Sequence, residues 1–209
     1  MIAVVDYGSG NLMSVLNAID FLGKEAKLVD SLQVLRNAEK IILPGVGLFS
    51  HCMEGLRKRG LVETLAEEVI YNKKPFLGIC LGMQVLAESS EESPGVKGLG
   101  WIKGKVKRFL CEAQGLRVPH VGWNDISFEK GFSLFGGVYS EASFYFAHSY
   151  FLDPSEKEVI AATCDYGGSF VAAVCKDNIF GTQFHPEKSQ NNGIQLLENF
   201  LISNASGKC

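Results

Sequence analysis

Up to Leu86, short strand-like runs alternate with segments of helical periodicity, a pattern that predicts a mostly parallel sheet covered on both faces by helices. Ile2 to Val5 is an apolar run closed by Asp6-Tyr7-Gly8-Ser9-Gly10-Asn11, after which Leu12, Val15, Leu16, Ile19 and Leu22 recur at helical spacing. Ala26 to Val29 supplies a second strand, and Lys40 to Leu43 a third that ends at Pro44-Gly45-Val46-Gly47. A helix is predicted in the early fifties. Leu61, Leu65 and Val69 mark another before Pro75 resets the chain. Phe76 to Ile79 is a continuous apolar strand leading into Cys80-Leu81-Gly82-Met83-Gln84 and a helix that carries Val85 and Leu86.

The second half changes texture. Strands are predicted at Gly104 to Phe109, Ser143 to Ala147, Val159 to Thr163, Phe170 to Val174 and Ile179 to Gln183, with Gly167-Gly168 and Asp177-Asn178 as turns. These spacings leave no room for crossover helices, so this additional short-strand region is expected to pair antiparallel. Ile194, Leu197 and Leu201 lie on one face of a C-terminal helix, while Glu88 to Lys97 and Cys111 to Gly115 read as loops. With 209 residues, 46% of them hydrophobic, and no repeat or linker, the chain is expected to be one domain over residues 1–209.

Twenty basic against 23 acidic residues give a formal charge of -3, which does not favour nucleic acid or another polyanion. The aromatic run Phe144 to Tyr150 has no basic stripe beside it and is therefore no base-stacking platform. No apolar run approaches the roughly 18 residues of a membrane span, and without a basic opening segment no export signal is expected. Cysteines at 52, 80, 111, 164, 175 and 209 lack CxxC spacing, so a reducing, cytoplasmic setting without metal or cofactor is expected.

The strongest local signal is Gly78-Ile79-Cys80-Leu81-Gly82. A nucleophile at a sharp strand-to-helix turn needs small neighbours, because it is held in a strained conformation with its side chain above the sheet edge. A helix starting there would favour a thiolate and offer unpaired N–H groups to a developing oxyanion. Of the four histidines, His51 adjoins Cys52 but points elsewhere on a helix, and His120 and His148 have no carboxylate close by in sequence. His185 is two residues from Glu187. In extended backbone that spacing places both on one side, so Glu187 could hold the imidazole in its productive tautomer.

These residues make the chain resemble the class I glutamine amidotransferases, and within them the glutaminase-subunit family of imidazole glycerol phosphate synthases. The resemblance covers nearly the whole chain. It rests on the Asp6 to Leu12 and Leu43 to Gly47 segments, Gly78 to Gln84, Pro119-His120-Val121-Gly122-Trp123-Asn124, Phe146 to Tyr150, and Gly181-Thr182-Gln183-Phe184-His185-Pro186-Glu187-Lys188-Ser189.

The resemblance implies that Cys80, His185 and Glu187 form a triad that hydrolyses glutamine to glutamate and ammonia. It further implies oxyanion donors at Val46, Gly47 and Leu81, and glutamine contacts at Gly45, Gln84, His148, Ser149 and Tyr150. Asn11, His120, Trp123, Asn124 and Lys188 would form the surface on which a (βα)8 cyclase docks in a heterodimer and receives the ammonia for histidine biosynthesis. Two other readings stand beside this one: a paralogous glutaminase feeding a sugar-modifying enzyme of surface polysaccharide synthesis, and a non-catalytic interaction subunit.

Overall fold

The structure, a computed structural model, describes residues 1–8, 11–29, 31–129, 131–139 and 141–202. Ser9 and Gly10 of the first glycine-rich turn, and Cys209, lie outside the described residues. The first part of the chain alternates strand and helix: β1 (Ile2–Val5), α1 (Leu12–Phe21), β2 (Ala26–Val29), α2 (Leu32–Arg36) and β3 (Lys40–Gly45). Helix α3 (Phe49–Lys58) follows, then α4 (Leu61–Ala66), which widens into a π-helical turn at Glu67–Tyr71. β4 (Phe76–Cys80) leads directly into the single turn of α5 (Leu81–Gln84).

Short strands then dominate: β5 (Ser89–Ser90), β6 (Gly104–Arg108), β7 (His120–Ser127), β8 (Ser143–His148) and β9 (Tyr150–Pro154). After β10 (Ile160–Asp165), β11 (Ser169–Lys176) and β12 (Ile179–Thr182), the 13-residue α6 (Gln190–Ile202) closes the described chain.

Nine strands form one mixed sheet in the order β2-β1-β3-β4-β12-β11-β10-β7-β8. Every pair from β2 to β12 is parallel and every pair from β12 to β8 antiparallel. Residues of β1 and β4 are buried on both faces, which is why those segments read as uninterrupted apolar runs. On one face Val15, Ile19, Leu197 and Phe200 bring α1 and α6 against the sheet, and on the other Phe49, Leu56 and Leu65 bring α3 and α4.

Three expectations are corrected. β7 is a strand outside those expected from sequence: its burial alternates between faces, and Gly122, Asn124 and Asp125 give it a weak apolar signature. Ser89–Ser90, within a segment that reads as loop, is a short strand in a separate sheet of order β5-β6-β9. There β6–β9 is antiparallel as expected, but β5–β6 is parallel. Among the described residues no helix is long and apolar enough to cross a membrane.

Candidate active site

Three neighbouring parallel strands end at one place. Gly45 of β3 pairs with Cys80 of β4, and Thr182 of β12 pairs with Ile79, so the Pro44 to Gly47 loop, the thiol and the His185 segment converge at the carboxyl edge of the sheet. Such an edge is where open α/β sheets present ligand sites.

Cys80 has φ 55° and ψ -107°, a strained conformation for a residue with a Cβ. The turn closes only because its neighbours are small: a Cβ on Gly78 would lie 2.4 Å from the Gly82 carbonyl oxygen, and one on Gly82 would lie 1.8 Å from that of Leu43. The following helix is one turn long, so its dipole is weaker than a full helix would supply, while its unpaired first N–H groups remain.

Glu187 Oε1 lies 2.8 Å from His185 Nδ1, and the two side chains are 1% and 3% exposed. The pairing is the expected one, but Pro186–Lys188 forms a 3-10 turn in place of the extended backbone that the two-residue spacing assumes. Burial alone would lower the His185 pKa; charge on Cys80 and Glu187, and hydrogen bonds to both, override it and push the value up to about 10. Sulfur and carboxylate thus both favour the protonated imidazole over the neutral one. Its segment is also tied to β8, because the His185 N–H donates to the Tyr145 carbonyl at 2.9 Å and the Tyr145 N–H donates to Ser189 Oγ at 3.0 Å.

Above the thiol lies a cavity of about 270 Å3, whose walls include Val46, Gly47, Leu81, Ala147, Ser149 and Tyr150. Gln84 also lines it, and its amide nitrogen donates to the Tyr150 carbonyl at 2.8 Å and to Gln183 Oε1 at 3.2 Å. Both amide hydrogens are therefore used, and only the amide oxygen remains to meet a ligand.

Two residues of the site are not among those expected from the sequence. Gln183, which directly follows β12, is fully buried and points its amide nitrogen at Cys80 Sγ, 3.6 Å away; as a polar side chain between Ile179–Thr182 and His185 it carries a signal. Glu92 lines the cavity with a carboxylate that also accepts the Phe49 N–H at 2.8 Å, at the start of α3. Nothing in its acidic loop distinguishes it from a solvated surface residue.

The structure places the other expected residues unevenly. Gly45 is buried behind the cavity wall and does not line it, wedged where a Cβ would lie 2.9 Å from both Leu81 Cβ and the Tyr7 hydroxyl. His148 reaches the lining, yet its ring is held by the Tyr150 carbonyl at 2.8 Å and by His120 at 3.3 Å. His120, expected at a partner surface, is 3% exposed and stacks on Phe146 and Tyr166. Burial pushes its pKa down to about 4 and that of His148 to about 3, so both are neutral near pH 7.

Trp123 is 48% exposed with its ring edge on Tyr145, and Lys188 is exposed with its ammonium over the same Tyr145 ring. Asn124 is half-buried, donating to the Asp165 carbonyl at 2.9 Å, and Asn11 accepts from Ser14 Oγ at 2.8 Å where α1 begins. Trp123 and Lys188 thus share one surface through Tyr145, while His120 faces the other side of β7, against Phe146 and Tyr166.

A strained cysteine on a strand-to-helix turn, backed by a buried histidine–carboxylate pair, is the arrangement of an acyl-transferring thiol hydrolase. Residues 3–204 match the family described as glutamine amidotransferase class-I, and the chain belongs to that family. It is similar to the imidazole glycerol phosphate synthase subunit HisH of Pelagibacter ubique, 44% identical over 204 residues that cover 96% of this chain and 98% of the relative. The imidazole glycerol phosphate synthase subunit HisH 2 of Pseudomonas aeruginosa is 47% identical over 201 residues, with 96% and 98% covered.

Solved structures attest the same fold. One described as a glutamine amidotransferase has a TM-score of 0.75 at 21% identity, over 97% of this chain and 100% of the other. PurLQS from Thermotoga maritima has a TM-score of 0.73 at 22% identity, over 96% of each chain.

Proposed function

We propose that the chain hydrolyses glutamine to glutamate and ammonia and passes the ammonia to a (βα)8 cyclase that makes imidazole glycerol phosphate and an aminoimidazole carboxamide ribotide in histidine biosynthesis. The observation that carries the chemistry is the Cys80 turn facing the His185–Glu187 pair beneath a cavity sized for a small amino acid. The relatives named as imidazole glycerol phosphate synthase subunits support the pathway.

Cys80 sulfur attacks the side-chain amide carbon of glutamine, and the carbonyl oxygen becomes an oxyanion over Leu81 and the Val46–Gly47 backbone. His185, already protonated, gives its proton to the departing ammonia, which leaves a thioester on Cys80. Water, deprotonated by the now neutral His185, attacks that thioester and releases glutamate. Two moderate barriers replace the single high barrier of amide hydrolysis. Gln84, Ser149 and Tyr150 would meet the glutamine, and the Glu92 carboxylate has the charge to pair with its α-ammonium.

Ammonia must not escape, because in water near neutral pH it is mostly protonated and lost as a nucleophile. This makes a docked acceptor necessary, and Trp123, Asn124, Lys188 and Asn11 are the groups offered to it, in a heterodimer of the cytoplasm. Glutamate release should be low for the chain alone, and rise when the cyclase is added and again with its nucleotide substrate. Full activity of the isolated chain would defeat partner gating. One observation favours a second reading: relatives such as HisH 2 of Pseudomonas aeruginosa and HisH 1 of Campylobacter jejuni bear copy numbers. Stimulation by a sugar-modifying acceptor in place of the cyclase would establish it.

Gly47→Val tests the oxyanion loop. Gly47 has φ 95°, and a Cβ added there would have no atom within 4 Å, so valine acts first through strain in the backbone conformation the loop uses. Turnover should fall about 100- to 1000-fold, the cost of roughly 2.7 to 4 kcal/mol for one lost oxyanion donor. Unchanged turnover in the assembled enzyme would reduce the loop to a simple turn.

A further inference from the structure

Gln183 is a primary amide with no exposed surface, set against the Cys80 sulfur where an apolar side chain would fill the space without losing hydration. Its surroundings have no need of polarity, since Phe180 is 2% exposed and Phe184 fully buried. A buried amide is stable only where its groups meet partners.

The way this amide faces follows from its neighbours. The Tyr150 carbonyl can only accept, so the end of Gln84 that lies 2.8 Å from it is the nitrogen. That nitrogen is also 3.2 Å from Gln183, so the Gln183 atom it meets is the oxygen. The Gln183 nitrogen is thereby turned to Cys80 Sγ. The root of the side chain is fixed as well, because the Gln183 backbone N–H donates to the Ala172 carbonyl of β11 at 2.8 Å. β9, α5 and β11 together leave the amide one orientation.

A neutral thiol is a weak acceptor, whereas hydrogen bonds to an ionised group are roughly twice as strong as neutral ones. The N–H of Gln183 is therefore matched only when the sulfur carries charge. We propose that Gln183 is a catalytic residue whose side-chain N–H holds the Cys80 sulfur as a thiolate, beside the protonated His185. The inference rests on the glutaminase reading of this site and deepens it. The amide carries no charge and transfers no proton. When the thiolate attacks the substrate carbon, its electron pair enters the new C–S bond and the N–H contact weakens. When the thioester is hydrolysed, that pair returns to sulfur and the fixed N–H receives it, so one group serves the nucleophile and the leaving group alike. The titratable side chains around the sulfur and its cavity are His185, Tyr7, His148 and Glu92, with Glu187 behind His185. Burial keeps Tyr7 and His148 neutral, and the Glu92 carboxylate opposes a negative sulfur, which leaves His185 and Gln183 as the side chains that favour it.

The test is Gln183→Met, which keeps the length of the side chain and removes the donor. The full chain is treated with iodoacetamide across a range of pH, and the adduct on Cys80 is followed by mass. On the acid side of the profile the variant should react about tenfold more slowly than the wild type, the worth of one hydrogen bond to a charged group, and on the alkaline side the two should merge. Gln183→Glu keeps the shape and the oxygen that meets Gln84 but turns an acceptor toward sulfur; it should be slower still on the acid side, and it carries the comparison if Gln183→Met does not fold. An amide that merely packs would leave the profile unchanged or lower the rate equally at every pH, and either result overturns the proposal, as does loss of the fold in both variants. A wild-type Cys80 that reacts only on the alkaline side, as an ordinary thiol does, sinks the thiolate and the Gln183 role together. Glutamate release by the wild-type complex with the cyclase and its nucleotide substrate tests the other reading separately: the expected alkylation profiles without glutamate release would keep the Gln183 role and defeat the glutaminase.

Discussion

Cys80→Ala should lower glutamine hydrolysis by on the order of 10^6-fold, the effect of removing a nucleophile that acts as one unit with its base. The fold should survive, since only a sulfur is lost from a residue already 5% exposed. Glutamate release measures the first part. Intact mass after treatment with a glutamine-like electrophile checks that Cys80 is the reactive thiol, with one adduct on the wild type and none on the variant. Cys52 is not a credible competitor: it is fully buried, and burial pushes its thiol up to about 12. An adduct retained in Cys80→Ala would place the reactive thiol elsewhere and dismantle the triad.

Gly82→Ala should be the most damaging single methyl in the molecule's active turn. The new Cβ would lie 1.8 Å from the Leu43 carbonyl oxygen, a backbone atom of a central strand that has nowhere to go. We expect a loss of about 4 kcal/mol or more, which places it among overpacking effects of exceptional size. For a chain of this length that corresponds to a melting temperature lower by roughly 8 to 16 °C. Gly100→Ala is the control: φ is 69° but no atom lies within 4 Å of the added carbon, so only the roughly 1 to 2 kcal/mol of the left-handed backbone is at stake. Equal melting temperatures for the two variants would show that β3 and α5 are not locked together as described.

Much of this molecule is legible in its sequence because its central strands are buried on both faces. β1 and β4 read as unbroken apolar runs, and the glycines around Cys80 have no reason to be there except the tight turn. β7 is hard to read for the opposite reason: it lies near the sheet edge with Val121 58% and Trp123 48% exposed, so its residues answer to solvent as much as to the core. The thiol and the histidine–carboxylate pair are visible as local motifs. Glu92 meets the cavity beside residues from other strands and helices, and no local spacing records such a meeting.

Tyr145 has a consequence that distance makes plain. Its ring meets Trp123 at the surface, with 6.2 Å between centroids, and its carbonyl oxygen holds the backbone of His185 at 2.9 Å. One residue thus links an exposed indole to the backbone of His185. Anything that packs on Trp123 would press on a residue whose own peptide holds the backbone of His185, with nothing entering the cavity.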